Sequence, residues 1–271
     1  MPIRPAIASL ALGAALALPA ALHAQQDRAD RWLDQCRHDD WGDRARYCDV
    51  RQFTVDHPAE SVHIDAGPNG GVNVFGWDKP SMLVVAKIQT NADDDAAAKD
   101  LAGQLRITAN ESRVESNGPS NERHRGWSVS YDVYLPTQRA VDVSTRNGGV
   151  SVERVTGHLD LSTVNGGIHL TDVAGDVRAE TTNGGVSAAL SGTTWNGQGL
   201  DLRTTNGGVT LEIPTGYNAR LETGTVNGGF STDFPITVQG SFRKRISTTL
   251  GSGGPLIRAT TVNGGVRIRT R

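Results

Sequence analysis

The chain has 271 residues with 27 Lys and Arg against 29 Asp and Glu, so its formal net charge is −2. This near balance, without a basic run, argues against nucleic-acid binding, which requires clustered Lys and Arg. Aromatic residues make up only 5% of the chain while there are 32 glycines, a composition typical of short strands separated by tight turns.

Residues 1–24 form the first predicted element, a secretory signal peptide. Arg4 precedes an apolar run from Ala6 to Ala21, and a cleavage site follows at Ala24. After Ala24 no apolar stretch reaches the roughly 20 residues that a membrane-spanning helix needs. We therefore expect an exported protein with no transmembrane segment in the mature chain.

Residues 25–51 are rich in Asp and Arg and contain both cysteines of the chain. In an exported protein an even pair of cysteines predicts a disulfide, so we expect a Cys36–Cys48 bridge. The spacing of the two cysteines fits neither a redox Cys-x-x-Cys motif nor a zinc site. We interpret the segment as a disulfide-stapled cap over one end of the β structure.

Residues 52–140 predict a less regular β region with one short helix. The helix should begin in the triplet Asp93 to Asp95, which complements the helix dipole, and end near Gln104. The triplet could instead begin a calcium loop, but it lacks the glycine and the distal glutamate of an EF-hand. An outlying Asn-Gly-Gly motif at Asn69 also falls in this region, with the preceding apolar positions shifted by one residue.

Residues 141–271 are organised by six Asn-Gly-Gly motifs. Successive motifs start 18, 18, 23, 21 and 36 residues apart, and a repeat of this size indicates a stacked β architecture. A Thr lies two residues before each Asn, and apolar residues alternate on both sides, so the apolar side chains face one interior. The six predicted corners are Asn147, Asn165, Asn183, Asn206, Asn227 and Asn263.

Two all-β architectures fit this period. In a single-stranded, β-helix-like solenoid each Asn-Gly-Gly is a corner and like residues stack, whereas in an antiparallel meander or sandwich each Asn-Gly is a hairpin that pairs Thr145 with Val150. The return of Thr and Asn to identical positions favours the solenoid.

Two further expectations concern the turns and the end of the stack. Gly166→Val should strain a turn at positive φ. The Arg-rich strand after Asn263 should protect an exposed edge of the sheet.

The alternate positions of the repeat are polar and predict an outer face. One column of this face consists of the residues five positions before each Asn. If the units stack, Arg178 lies between Asp160 and Asp201 in this column and can form favourable cross-strand pairs with both. In chain order the column ends with Arg258. We take the column as the candidate binding face, with the residues Asp142, Asp160, Arg178, Asp201 and Glu222.

The sequence contains no convincing catalytic motif. It has no His-Glu-x-x-His zinc motif, no Gly-x-Ser-x-Gly elbow and no phosphate-binding loop, so no cofactor or metal is expected. The segment from Ser241 to Lys244 matches Ser-x-x-Lys, a match expected by chance. Asp160 and Asp201 could in principle form a glycosidase pair. His169 is interpreted as a surface residue.

Three features of the sequence carry a family resemblance. They are Val-Asn-Val-Phe-Gly-Trp-Asp at 72–78, Val-Tyr-Leu-Pro at 133–136 and the serial Thr-x-Asn-Gly-Gly units. Over about residues 50–271 the chain resembles the bacterial putative adhesin family of β-strand repeats, a domain of unknown function related to the head domain of putative autotransporter adhesins. The resemblance implies a β-helix-like solenoid in the cell envelope. It implies no catalytic residues and no particular ligand.

The leading functional hypothesis is an exported, non-enzymatic envelope protein whose polar face binds a glycan or another protein. Because the sequence ends at Arg271 directly after the last predicted strand, without room for a translocator, we expect the periplasm rather than surface display. The alternatives are a polysaccharide lyase or hydrolase on a β-helix and a purely structural envelope scaffold.

Overall fold

A computed structural model describes residues 20–38, 44–234 and 245–271. Most of the predicted signal peptide and the Ser-x-x-Lys match at Ser241 lie outside the described residues. Two β-sheets of ten strands each enclose one apolar core. Among the described residues, no helix has the length and apolar character required to span a bilayer.

The helices and strands divide into an N-terminal group and a repeat group. The N-terminal elements are α1 (Ala20–His38), β1 (Ala45–Val55), β2 (Ser61–Asp65), β3 (Val72–Trp77), β4 (Met82–Ala92), α2 (Asp95–Gln104), β5 (Arg106–Ala109), β6 (Arg113–Asn117) and β7 (Gly126–Pro136). The repeat strands are β8 (Ala140–Asn147), β9 (Val150–Glu153), β10 (Thr156–Asn165), β11 (Ile168–Thr171), β12 (Ala174–Asn183), β13 (Val186–Ala189), β14 (Gly199–Asn206), β15 (Val209–Ile213), β16 (Ala219–Asn227), β17 (Phe230–Thr232), β18 (Arg245–Leu250), β19 (Leu256–Asn263) and β20 (Val266–Thr270). In spatial order, sheet A is β1, β4, β7, β3, β9, β11, β13, β15, β20 and β17, and sheet B is β18, β16, β19, β14, β12, β10, β8, β2, β6 and β5.

Each repeat unit contributes one strand to sheet B and the next strand to sheet A. Thr145 lies beside Thr163 of the following unit, and Ile168 lies beside Val186, both in parallel register. The inward apolar side chains of the two sheets form a single buried core. This pairing makes the fold solenoid-like, and it shows that the hairpin alternative, which pairs Thr145 with Val150, is wrong for the repeats.

Hydrogen bonds between neighbouring units explain the repeated Thr-x-Asn-Gly-Gly motif. Thr163 donates its hydroxyl to the carbonyl oxygen of Gly148 at 2.8 Å, and Asn165 Nδ2 donates to Asn147 Oδ1 at 2.7 Å. The same Thr-to-Gly bond forms at all six corners. The Asn side chains form a continuous ladder that begins at Asn69. The corners therefore fix the register of the stack.

The Asn69 motif belongs to a full repeat unit within the region predicted to be irregular. Its strands β2 and β3 pair in parallel with β8 and β9. Asp65 lies beside Ser144 and Asn69 beside Asn147, so this unit holds one extra residue between the two positions. Gly67 lies in this insertion with φ of 64°, a conformation that glycine adopts without steric cost. The insertion accounts for the shifted apolar pattern.

The last two units do not stack in chain order. In sheet B, β19 lies between β14 and β16, and in sheet A, β20 lies between β15 and β17. Arg258 on β19 therefore separates Asp201 from Glu222, two carboxylates that chain order would place side by side. Opposite charges on adjacent strands favour the observed order. The prediction that the Arg-rich last strand protects an edge is wrong, because β20 is an internal strand.

The N-terminal segment confirms the disulfide and corrects the number of helices. Cys36 at the end of α1 is bonded to Cys48 in β1. The described residues contain two helices rather than the single one predicted, and β1 begins at Ala45, so the predicted boundary after residue 51 falls inside a strand. Helix α1 packs on the outer side of sheet A, where Ala29 is buried against an apolar cluster that includes Tyr134.

Helix α2 agrees with the helix predicted from the aspartate triplet. Asp94 is the N-cap residue, and its Oδ1 accepts a hydrogen bond from the Ala97 backbone N–H at 2.8 Å. Asp95 lies in the first turn, where a negative charge complements the helix dipole. The triplet therefore serves to start the helix.

Replacing Cys36 and Cys48 together with serine is expected to lower the free energy of unfolding by about 3 kcal/mol, because the bridge closes a short loop and restricts the unfolded chain. Urea denaturation of the oxidised wild type, the reduced wild type and the double variant measures the change. Reduced wild type should match the variant. Equal denaturation midpoints for all three samples would contradict a stabilising bridge.

Candidate binding surface

The residues of the predicted binding face lie in one row on the outer side of sheet B. They occupy the same register position on adjacent strands. Arg258 of β19 occupies this position as well, between Asp201 and Glu222. In spatial order the row is Asp142, Asp160, Arg178, Asp201, Arg258 and Glu222. We call this row, together with Glu180 and Arg203 beside it, the charged face.

Ion pairs hold one end of the charged face in place. Arg258 donates to Glu222 through Nε at 3.1 Å and Nη2 at 2.9 Å, and its Nη1 lies 3.5 Å from Asp201 Oδ2. Arg203 also donates to Asp201, through Nε at 2.9 Å and Nη2 at 2.6 Å. Partly exposed pairs of this kind contribute little to stability. Their main effect is to fix the directions of the side chains.

Asp160 and Arg178 form the exposed centre of the charged face. Arg178 Nη2 donates to Glu180 Oε2 at 2.7 Å, and this hydrogen bond is the main cause of the raised pKa of Arg178. Asp160 lies directly beside Arg178 on the adjacent strand, and both side chains are exposed. A carboxylate and a guanidinium therefore lie side by side and face solvent. The carboxylate accepts hydrogen bonds and the guanidinium donates them.

A groove crosses the charged face where Gly199 replaces an outward side chain. Gly199 lies between Asp176 of β12 and Leu256 of β19. The missing side chain leaves a groove of about 460 Å³, which is also lined by His158 and Arg178. His158 Nδ1 is 3.1 Å from Asp176 Oδ2, so two residues in the wall of the groove are hydrogen-bonded to each other.

A second groove lies at Gly224 of β16, between Thr260 of β19 and Arg245 of β18. It has a volume of about 650 Å³ and is lined by residues of both charges, among them Glu180 and Arg203. Neither groove was predicted from the sequence. The two glycines could have indicated the grooves, since Gly199 and Gly224 occupy outward positions of the repeat where other units carry larger side chains.

The match to a known family model extends over most of the chain. The Toastrack DUF4097 model matches residues 51–269, which include the strands from β2 to β19, part of β1 and most of β20. The chain belongs to this family. The match confirms the resemblance that the Thr-x-Asn-Gly-Gly units predicted. No curated protein matches the chain.

Several solved structures are similar to this Toastrack chain. A putative cell adhesion protein from Clostridium sporogenes ATCC 15579 is 11% identical with a TM-score of 0.39, and the similarity covers 83% of this chain and 100% of that one. A putative adhesin from Bacteroides fragilis NCTC 9343 is 11% identical with a TM-score of 0.41, over 83% and 97%. A putative lipid binding protein from Parabacteroides distasonis ATCC 8503 is 8% identical with a TM-score of 0.28, over 83% and 96%.

The possible glycosidase pair is interrupted by a basic residue. Asp160 and Asp201 lie on β10 and β14 of the Toastrack fold, with Arg178 of β12 between them. Two strand spacings separate their backbones by about 10 Å. A glycosidase needs a sugar or a water between its two carboxylates, and here the strand between them carries Arg178 at the same register position.

His169 is exposed on sheet A, as expected for a surface residue. Its Nδ1 lies 2.7 Å from Ser187 Oγ on the adjacent strand β13, a contact that was not predicted from the sequence. The 18-residue repeat could have indicated it, because the two residues share one register position. In the described part of the chain no carboxylate is hydrogen-bonded to the His169 ring, so the pair lacks the third group that orients a catalytic histidine.

Proposed function

We propose that this protein is an exported, non-enzymatic envelope protein that binds a glycan through the charged face. The observation that supports the proposal is the row from Asp142 to Glu222, in which charged groups follow one another at the strand spacing of about 4.8 Å on a regular sheet. The grooves at Gly199 and Gly224 give this flat surface the depth that a sugar chain needs to be enclosed.

The chemistry of the grooves favours a glycan over a protein surface. Carboxylates such as Asp160 and Asp176 accept hydrogen bonds from sugar hydroxyls, and Arg178 donates to hydroxyl or ring oxygens. The cores of protein interfaces are depleted in charged residues and enriched in large aromatic ones. Neither groove has Phe, Tyr or Trp among its described lining residues.

Export is supported by two features of the N-terminal region. The pattern of residues 1–24 is that of a secretory signal peptide. The Cys36–Cys48 disulfide fits an oxidising compartment, because cytoplasmic thiols are kept reduced. We infer a periplasmic location, where envelope glycans are accessible to the charged face.

The proposal is tested by co-sedimentation of the mature protein with purified peptidoglycan and with outer-membrane glycan. We expect saturable binding to one fraction. The double variant Asp160→Ala/Arg178→Ala should bind at least tenfold more weakly, because it removes two charged hydrogen-bonding groups. Both side chains are exposed, so the fold should be retained.

The matched control is an acid–base pair on the opposite sheet. Glu212 and Arg269 lie side by side on β15 and β20 in the same parallel arrangement, so Glu212→Ala/Arg269→Ala should bind like the wild type. Loss of binding in both variants would point to a general charge effect rather than to the charged face. Failure of both glycan fractions to bind, together with a protein captured on the charged face, would replace the glycan by a protein partner.

A further inference from the structure

The first strand of sheet A has one side that is not paired with another strand. β1 is paired with β4 along all 11 of its residues, and among the described residues no strand lies on its other side. In an antiparallel pair every second residue directs its N–H and C=O groups away from the partner strand. β1 therefore presents an open row of backbone donors and acceptors, to which another extended segment can bind.

The charged residues of β1 lie on the inner side of sheet A. Tyr47 and Phe53 pack against the core. Because side chains alternate along a strand, Asp49 and Arg51 lie on the same inner side. Val50 lies on the outer side, against the apolar cluster beneath α1. The side chains of Arg51 and Asp49 are 31% and 32% exposed, so solvent reaches both charges.

Hydrogen bonds within the chain hold Arg51 in position. Its Nη1 donates to the carbonyl oxygen of Leu105 at 3.0 Å, and its Nη2 donates to that of Ala102 at 2.8 Å. Its Nε donates to Asp49 Oδ2 at 3.1 Å. Three of the five guanidinium N–H groups are used in these bonds. The guanidinium is thus oriented and still has donors for a further carboxylate.

The chemistry of β1 is symmetric about Val50. An aromatic residue lies three positions from Val50 on each side, and the two opposite charges lie one position from it. When two copies of β1 run antiparallel with Val50 opposite Val50, Asp49 of each copy lies opposite Arg51 of the other. In the same register, Tyr47 of each copy lies opposite Phe53 of the other. Opposite charges and aromatic residues are favourable cross-strand pairs.

We propose that β1 pairs in this register with β1 of a second copy of this chain, so that two A sheets join about a twofold axis at Val50. Directly opposite residues have Cβ atoms about 4.5–5.5 Å apart, within reach of both pairs. Each pair occurs twice, because a twofold interface uses the same surface of both copies.

The two charges select this register over its neighbours. Charges on an edge strand commonly prevent pairing with other chains. Moving the twofold axis by one residue places Asp49 opposite Asp49 or Arg51 opposite Arg51, and like charges directly opposite each other are destabilising. β1 therefore excludes the shifted pairings while it favours the one centred on Val50.

Analytical ultracentrifugation of the mature protein over a range of concentrations tests the proposal. We expect a reversible dimer. Asp49→Arg places like charges opposite each other twice and should raise the dissociation constant of the dimer at least tenfold. Because Arg51 keeps its two bonds to backbone carbonyls, the fold should be retained, which circular dichroism checks. Asp78→Arg, the same charge change at an exposed turn, is the matched control and should dimerise like the wild type.

Cysteine crosslinking tests the register itself. Val50→Cys should give a covalent dimer under mild oxidation, because the two new thiols lie opposite each other. Thr54→Cys, on the same strand and exposed, should not, because the twofold axis separates its two copies by eight residues, about 27 Å along the strands. A wild type that stays monomeric, an unchanged dimer of Asp49→Arg, or equal crosslinking of the two cysteine variants would overturn the proposal.

The proposed dimer does not depend on glycan binding. Its interface lies at the edge of sheet A, whereas the charged face lies on the outer side of sheet B. Asp160→Ala/Arg178→Ala should therefore dimerise like the wild type, and failure of one proposal does not decide the other.

Discussion

Gly166→Ala is expected to lower the free energy of unfolding by about 3 kcal/mol, and Gly166→Val by more, because both overpack a contact between backbones. A Cβ atom at Gly166 would lie 2.1 Å from the carbonyl oxygen and 2.5 Å from the carbonyl carbon of Gly148 in the neighbouring unit. Backbone atoms cannot rotate away as a side chain does. Separating the two units would instead lengthen the Thr163–Gly148 and Asn165–Asn147 hydrogen bonds.

The second glycine of a motif provides the matched control. A Cβ atom at Gly149 would meet its nearest neighbour, the carbonyl oxygen of Gly167, at 3.4 Å, which is an ordinary contact. Gly149→Ala should therefore change the free energy of unfolding by less than about 1 kcal/mol. Urea denaturation of both variants makes the comparison, and equal destabilisation would show that the closeness of the backbones is not the cause.

The physical reason for the first glycine differs from the one predicted. The sequence indicated a turn at positive φ, but the φ of Gly166 does not lie in the left-handed region. Glycine is required there because the backbones of stacked units approach each other closely. Sequence periodicity could locate the residue. It could not reveal the contact, because the distance between units is a property of the assembled stack.

The repeat architecture was predictable because it depends on local patterns. A Thr and an Asn at fixed positions before Gly-Gly, with alternating apolar residues on both sides, specify a corner and the inward face of two strands. Parallel stacking of these units then brings Thr163 beside Thr181 and Asn165 beside Asn183. Helix α2 followed from the aspartates at its start in the same way.

The order of the last units was not predictable from the period. Any unit with the same corner can lie beside any other, so the neighbours are selected by contacts between residues far apart in sequence. Arg258 lies between Asp201 and Glu222 although it follows both in the chain. Helix α1 as a whole was also not predicted, and its first residues, from Ala20 to Ala24, belong to the predicted signal peptide.

For the candidate site, the sequence predicted which residues share a face but not how they are paired. Arg178 was expected to pair with the flanking Asp160 and Asp201. It is their neighbour in register, yet its hydrogen bond goes to Glu180 on its own strand. Strand alternation determines the face of a residue, whereas the partner depends on side-chain conformation and on every charge within reach.

Removing one partner of the buried ion pair on sheet A is expected to destabilise the fold strongly. Asp132 Oδ1 accepts hydrogen bonds from Lys87 Nζ at 2.8 Å and from Asn73 Nδ2 at 2.7 Å. The Lys87 and Asp132 side chains are 11% and 3% exposed. Asp132→Ala leaves the ammonium of Lys87 in this position without a counter-ion, so we expect a loss of about 3–5 kcal/mol in the free energy of unfolding.

A double-mutant cycle distinguishes this explanation from a simple loss of packing. Lys87→Met/Asp132→Ala removes both charges, so it should be less destabilised than the sum of the two single variants. Glu180→Ala is the control, because it breaks the Arg178–Glu180 pair, whose side chains are 51% and 50% exposed, and should change stability by less than about 1 kcal/mol. Additive effects of Lys87→Met and Asp132→Ala in urea denaturation would contradict the buried pair. Non-additivity would instead show that β4 and β7 are joined by this charge pair as well as by their backbone hydrogen bonds.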